Sequence, residues 1–320
     1  MNKIETYKDI YAVIKKSLSW KVTDTRSLMM IASLYVTNNK DFDGVRLEEV
    51  ADHIKKEVGF FTTLNSHQRY IFAAMLYSRY QHPEEKITDF IETYKALVDA
   101  GFSMGAYTYI SAMVLIIEEG GREETATRAM DVYKKMRKKH FFLTGKSDYP
   151  LAMLLSLSSR DSDALIHKME LYYEKLNESG FYKGNDLQTM SHILSLVDDV
   201  DSNELAVRCT EIFDTFKKEG IRPKSMFYPQ IAMLSLLKNG KEHVEQVNEI
   251  REELNNDKLF RWQKDINLMM AVTLHLSDQI ENSSLLQTNL STTIEVLIQA
   301  QQSASVAAIA GATAATSSGE

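Results

Sequence analysis

A glycine followed by a bulky apolar residue recurs along this chain at a nearly fixed interval. Gly59-Phe60, Gly101-Phe102, Gly180-Phe181 and Gly220-Ile221 carry the pair outright, and His140-Phe141 and Leu259-Phe260 hold the same register. The successive spacings are 42, 39, 40, 40 and 39 residues. Such a pair suits the end of a helix. Glycine takes the left-handed position just past the last turn without a Cβ clash, and the next apolar side chain folds back onto that turn.

Two further columns keep the same period. Ala32, Ala74, Ala112, Ala152, His192, Ala232 and Ala271 lie in the segment after each mark, where small residues let helices approach closely. Glu84, Glu123, Asp163, Asn203 and Glu242 recur in the intervening turn, where acids and amides satisfy free N–H groups at a helix start. In "DSNE", Asp201 is the expected N-cap and Glu204 its capping-box partner. Before each mark, Tyr94, Tyr133, Tyr173 and Phe213 begin the buried stripe of an amphipathic helix.

The sequence therefore predicts an all-α fold, an α-solenoid of six to seven helical hairpins. Each hairpin pairs a short helix A, apolar nearly all round, with a longer amphipathic helix B. A compact helical bundle is the alternative. Residues 1–25 are expected to form an N-terminal capping helix and 26–264 the hairpin repeats. Residues 265–300 would form a closing hairpin, and 301–320 a small-residue tail, partly helical or disordered. Helix breaks are expected near 59, 101, 140, 180, 220 and 259.

Composition limits the function. A net charge of −7 works against unspecific attraction to nucleic acid or to an anionic membrane. The single Cys209 precludes an internal disulfide framework and fits a cytoplasmic location. No run reaches the ~18 apolar residues of a membrane span, and the acidic start, with Glu5 and Asp9, is unlike a signal peptide.

Motifs for chemistry fail on inspection. "FFLTGKS" holds Gly145-Lys146-Ser147, the last letters of a phosphate-binding loop, without the earlier glycine or a preceding strand. "DVDSNE" places Asp199, Asp201 and Asn203 at calcium-loop spacing but has Glu204 where glycine is required. The eight histidines form no pair three or four apart, so no metal site and no cofactor is expected.

Two features remain as candidate sites. The first is a possible groove lined by Met75, Met113, Met153 and Met233, each one residue past the alanine column, with His192 beside it and Ile193 completing the ladder. Methionines suit a promiscuous apolar groove, and they suit stacked core packing equally. The second is a basic patch of Lys134, Lys135, Arg137, Lys138, Lys139 and Lys146. It can serve an acidic partner, or simply complement the negative end of a helix. Ala307, Gly311 and Ala315 in the tail stand four apart, a spacing that permits helix contact with a second copy.

The segment "HFFLTGKSDYPLAMLLSL" at 140–157 and the tail "SASVAAIAGATAAT" at 303–316 resemble an uncharacterised bacterial family known only as a domain of unknown function. The resemblance covers almost the whole chain and implies no activity, cofactor or catalytic residue. The junction "EGIRPKSMFYPQ" also resembles a pentatricopeptide turn, although the period is too long for that class and its proline occurs in one unit only. The expected function is a non-catalytic helical-repeat scaffold that binds a protein or peptide. An enzyme or small-molecule binder with a pocket built across repeats is the alternative, and RNA binding ranks last.

Overall fold

The computed structural model describes residues 2–58, 64, 68–116, 121–197, 200–282, 294, 297 and 298. The mark at Gly59-Phe60, Asp199, residues 283–293, 295, 296, 299 and 300 of the expected closing hairpin, and the tail 301–320 lie outside the described residues. Every α-helical or strand element among those described is an α-helix, and none of these helices is long and apolar enough to cross a membrane.

Among the described residues fourteen α-helices follow in order. They are α1 (Lys3–Leu18), α2 (Thr25–Thr37), α3 (Gly44–Val58), α4 (Gln68–Arg79), α5 (Pro83–Asp99), α6 (Ala106–Leu115), α7 (Arg122–Lys139), α8 (Tyr149–Ser156), α9 (Ser162–Glu178), α10 (Asn185–Ser195), α11 (Ser202–Lys218), α12 (Tyr228–Ser235), α13 (Val244–Asn256) and α14 (Lys264–Asn282). Even-numbered helices from α2 onward are the A type. Residues 27–36 of α2, 108–115 of α6 and 228–235 of α12 are buried without interruption. Odd-numbered helices from α3 onward are the B type, buried along one stripe only, as with Ile87, Phe90, Thr93 and Leu97 of α5.

The described residues fall into two units that divide within α7, one up to Met130 and one from Asp131 to Ile298. In the first, α2 packs on α4 and α3 on α5, while the hairpin partners α3 and α4, and α5 and α6, pack on each other. In the second, α8, α10, α12 and α14 pack in succession, as do α9, α11 and α13. Like stacks on like within each unit. That arrangement covers the apolar helices on both sides and leaves the B stripes to close the outer surface.

Three of the marks, Gly101, Gly180 and Gly220, act as read. At the end of α9, Phe181 N–H donates to the Leu176 carbonyl and Gly180 N–H to that of Asn177, each at 3.0 Å, with Gly180 at φ +97°. This is the paired bonding of a Schellman turn, and Gly101 and Gly220 repeat it at φ +107° and +70°. At the third mark His140 occupies the glycine position. Here the chain keeps winding instead, with Leu143 and Thr144 N–H both donating to the His140 carbonyl. Asp201 caps α11 through Asn203 and Glu204 N–H, whereas Glu204 turns its carboxylate to Arg208 rather than back to the cap.

The structure also shows a longer repeat inside the expected one. Helices α6, α10 and α14 start at Ala106, Asn185 and Lys264, 79 residues apart, and α8 and α12 start at Tyr149 and Tyr228, again 79 apart. The first set follows a short loop: Gly105 N–H donates to the Tyr94 hydroxyl at 3.3 Å and Gly184 N–H to the Tyr173 hydroxyl at 3.2 Å. The second set follows a single 3-10 turn and opens on Tyr-Pro, the proline sitting in the first helical turn where no N–H is needed. Successive hairpins thus alternate between two kinds of entry.

A Cβ at Gly180 would meet nothing within 4 Å, so the cost of substitution there is the backbone conformation alone. Gly180→Val is expected to lower unfolding free energy by about 1–2 kcal/mol. A denaturation midpoint equal to wild type would contradict the left-handed turn.

Candidate functional site

The methionine ladder is interior. Met75, Met113, Met153 and Met233 are each 1% exposed or less, so they line no open groove, and that expectation is corrected. The alanine column and the residue after it lie on helices covered by neighbours on both sides, so thioethers one step along the helix fill core gaps. Met153→Gln should cost about 1–3 kcal/mol by burying an amide in apolar surroundings. Urea unfolding of the single variant measures this, and an unchanged midpoint would restore the groove.

His192 is buried as well, at 2% exposure. Burial, and then the neighbouring His140, hold its imidazole down to about 3, so the ring is neutral, and its Nδ1 has no hydrogen-bond partner among the described residues. One turn earlier, the Gln188 Nε2 donates to the Thr144 hydroxyl at 2.9 Å, tying α10 to the loop after α7. His140 itself leans on the Tyr173 ring at 4.6 Å and pairs with Glu170 at 2.9 Å. The fold also joins two histidines 32 residues apart: His275 Nε2 and His243 Nδ1 lie 2.9 Å apart. Burial first, then His243, brings His275 down to about 4, so the contact joins two neutral rings. No set of three metal-ligating groups forms among the described residues.

The "GKS" segment is a connector. Lys146–Asp148 is a 3-10 turn leading into α8, and the Gly145 N–H donates to Asp148 Oδ2 at 2.8 Å. Burial pushes the Asp148 carboxyl up to about 6, against the smaller opposing effect of that hydrogen bond. A carboxyl raised in the folded state contributes stability at pH below its unfolded value, near 3.8, which is lost as pH rises through 6. Relative to Asp148→Asn, the wild type should therefore lose up to about 3 kcal/mol between pH 4 and 7. Parallel pH–stability curves for the two proteins would contradict a buried, elevated carboxyl.

The basic patch divides. Lys135 is bound to Asp163 at 2.8 Å and Asp131 at 3.3 Å, which makes it a tie between α7 and α9, and Lys134 is exposed one residue before it. Arg137, Lys138 and Lys139 lead into the loop, where Arg137 stacks over the Phe141 ring at 4.9 Å. Lys138, Lys139 and Lys146 are exposed and form no ion pair among the described residues.

Sequence reasoning missed what lies beside them. Phe142 is 96% exposed, Trp262 80%, Tyr182 77% and Phe141 60%, all in loops that join a B helix to the next A helix of the second unit. Where the mark is a left-handed turn, the first apolar residue folds inward, as Phe181 and Ile221 do, and the second projects. At His140 the continued winding sends Phe141 outward too. The letters "FF", "FY" and "FRW" were the available signal, and its meaning depended on the turn geometry.

These loops are neighbours. Thr144 is held by Gln188 at the start of α10, and Tyr182 N–H donates to the Tyr228 hydroxyl at the start of α12. The Ser225 hydroxyl donates to Asp186 at 2.6 Å, and Lys224 pairs with Asp265 at the start of α14 at 2.7 Å. The second unit therefore carries one edge built from residues 140–148, 179–184, 219–227 and 257–263.

Residues 10–303 match the model of DUF4003, described as a protein of unknown function. The chain belongs to the DUF4003 family. It is 37% identical over 318 residues to "Uncharacterized protein YeaA" of Bacillus subtilis (strain 168), covering 98% of this chain and 96% of that relative. No solved structure matches it significantly. The family description assigns no chemistry, so function is argued from the edge.

Proposed function

We propose that the chain is a non-catalytic helical-repeat scaffold, an α-solenoid of hairpins, that binds a protein or peptide partner in the cytoplasm. The stacking of A on A and B on B within each unit supports the solenoid over a compact bundle, because bundles do not require like helices to follow one another in register. The observation that carries the binding role is the loop edge of the second unit. Large aromatic side chains exposed beside unpaired basic groups are costly to leave in water, and they match the composition of protein interfaces.

The competing reading, a pocket assembled around His192, lacks a path for substrate to a ring that is 2% exposed. The cleft of about 480 Å³ between α5 and α7 is lined by Glu92, Lys95, Asp99, Arg122 and Glu123, a mixed and solvated surface whose Arg122 is occupied by Glu92 and Asp89.

The test compares wild type with the double variant Phe142→Ser, Trp262→Ser in affinity capture from the native host, with thermal melting as the control for folding. A partner retained by wild type and lost by an equally stable variant is the expected result. Identical captured proteins from both would remove the edge from the function.

A further inference from the structure

The second unit's loop edge carries a chemistry specific enough to describe what it binds, and this step rests on the scaffold reading above. Apart from Lys224, which pairs with Asp265, its exposed bases form no ion pair among the described residues. Lys138, Lys139, Lys146, Lys183 and Arg222 are exposed with no ion pair among the described residues. Of the nearby acids, Asp265 is held by Lys224, Asp186 by the Ser225 hydroxyl and Glu219 by Asn248. Asp257 accepts from Leu259 N–H and Asp148 is buried, which leaves Glu178 as an exposed carboxylate. Within the four loops Lys146, Lys183, Arg222, Lys224, Lys258 and Arg261 outnumber Asp148, Glu219 and Asp257, so the edge is a positive strip on a chain of net charge −7.

The aromatic residues stand within this strip. Arg137 lies over Phe141 at 4.9 Å and Arg261 over Trp262 at 5.1 Å, an arrangement that leaves guanidinium N–H edges available to a carboxylate while the ring is offered to an apolar side chain. Phe142 meets Phe141 edge-on, so the first loop presents two rings as one projection.

We propose that this edge is the docking face for an extended, acidic polypeptide segment in which carboxylates alternate with apolar side chains. Packed helices stand about 8–10 Å apart, so four successive loops span about 24–30 Å. An extended chain covers that distance in about eight residues, which sets one carboxylate for roughly every three residues. Charge favours a polypeptide over other anions. A nucleic-acid strand or an anionic bilayer is charged along its whole extent and meets the acidic remainder of the chain as well as the edge. A short acidic segment meets the edge only. The third loop, which holds Arg222 and Pro223 and no exposed aromatic, breaks the row of rings that base stacking along a strand would use.

The probe is a fluorescein-labelled nine-residue peptide of three Glu-Phe-Ser repeats, one carboxylate in every three residues, titrated with the full-length chain and followed by anisotropy. Saturable binding is expected, weakened about tenfold or more by Phe142→Ser with Trp262→Ser, by Lys138→Glu with Lys139→Glu, and by high salt. Both double variants alter exposed side chains; Phe142→Ser with Trp262→Ser should melt with wild type, and Lys138→Glu with Lys139→Glu slightly below it, because acids at the end of α7 oppose the helix dipole. The same peptide with lysine for glutamate should not bind.

Absence of saturable binding to the acidic peptide, or equal affinity of the stable variants, would overturn the proposal. Tighter binding of phosphatidylglycerol vesicles or of a thymidine oligonucleotide would overturn it too, by assigning the edge to lipid or to nucleic acid. If the probe fails while the edge variant still loses its captured protein, the partner chemistry is wrong and the scaffold reading stands. If capture is also unaffected, both are wrong.

Discussion

Everything in this fold depends on helices that have no polar face. A segment such as 228–235, buried at every position, is stable only when neighbours cover it on all sides, since each exposed large apolar side chain forfeits about 1.5–3 kcal/mol of burial. One hairpin cannot do this. A second A-type helix must lie on each flank and a B stripe across the remaining surface, and this is the pairing pattern within each unit. Serine hydroxyls on these helices are accommodated locally. The hydroxyls of Ser156, Ser195 and Ser235 each bond a carbonyl of their own helix at 2.7 Å, so they enter the core without needing a partner from elsewhere.

Once the A helices are sealed, surface chemistry is confined to the B helices and the loops. The B→A loops of the second unit are fixed rather than slack. The Tyr228 hydroxyl, a glutamine–threonine bond and the Lys224–Asp265 pair hold them to the starts of successive A helices, and the Tyr173 hydroxyl of α9 accepts from Gly184 N–H. That rigidity gives the exposed rings a meaning. A projecting phenylalanine on a mobile tip would be an incidental exposure, whereas rings held in register on adjacent loops form a surface that costs a partner little ordering entropy.

Much of the architecture was legible in the letters. Gly101, Gly180 and Gly220 marked true helix ends because the left-handed turn leaves almost no other residue choice there. The 79-residue alternation was not read, because its two entry types are written in different letters. The Tyr173 hydroxyl accepts a bond from the Gly184 backbone, while Tyr133 and Tyr149 meet edge to face at 4.7 Å in the equivalent place. Only the geometry shows that these are alternatives. The methionine ladder was ambiguous for a different reason: position 153 or 233 sits one step past a buried alanine whether the helix has one neighbour or two, and the second neighbour decides between groove and core. The exposed aromatics were hidden by the same marks that revealed the fold, since "Gly-Phe" and "His-Phe" send the following side chain in opposite directions. The basic patch divides in the structure, because Lys135 is tied to Asp163 while Lys138, Lys139 and Lys146 are exposed, a distinction the run of basic letters does not carry.

The central claim is that a sealed stack of A helices presents one binding edge at its B→A loops. Amide hydrogen exchange across the whole chain, with and without a saturating ligand, tests it most directly. The free protein should show deep protection in 150–156, 187–195 and 228–235 and fast exchange in the loops. The ligand should slow exchange in 140–148, 179–184, 219–227 and 257–263 and leave the opposite turns at 157–161 and 236–243 unchanged. Ligand-induced protection confined to those opposite turns, or fast exchange within the A helices of the free protein, would contradict the account.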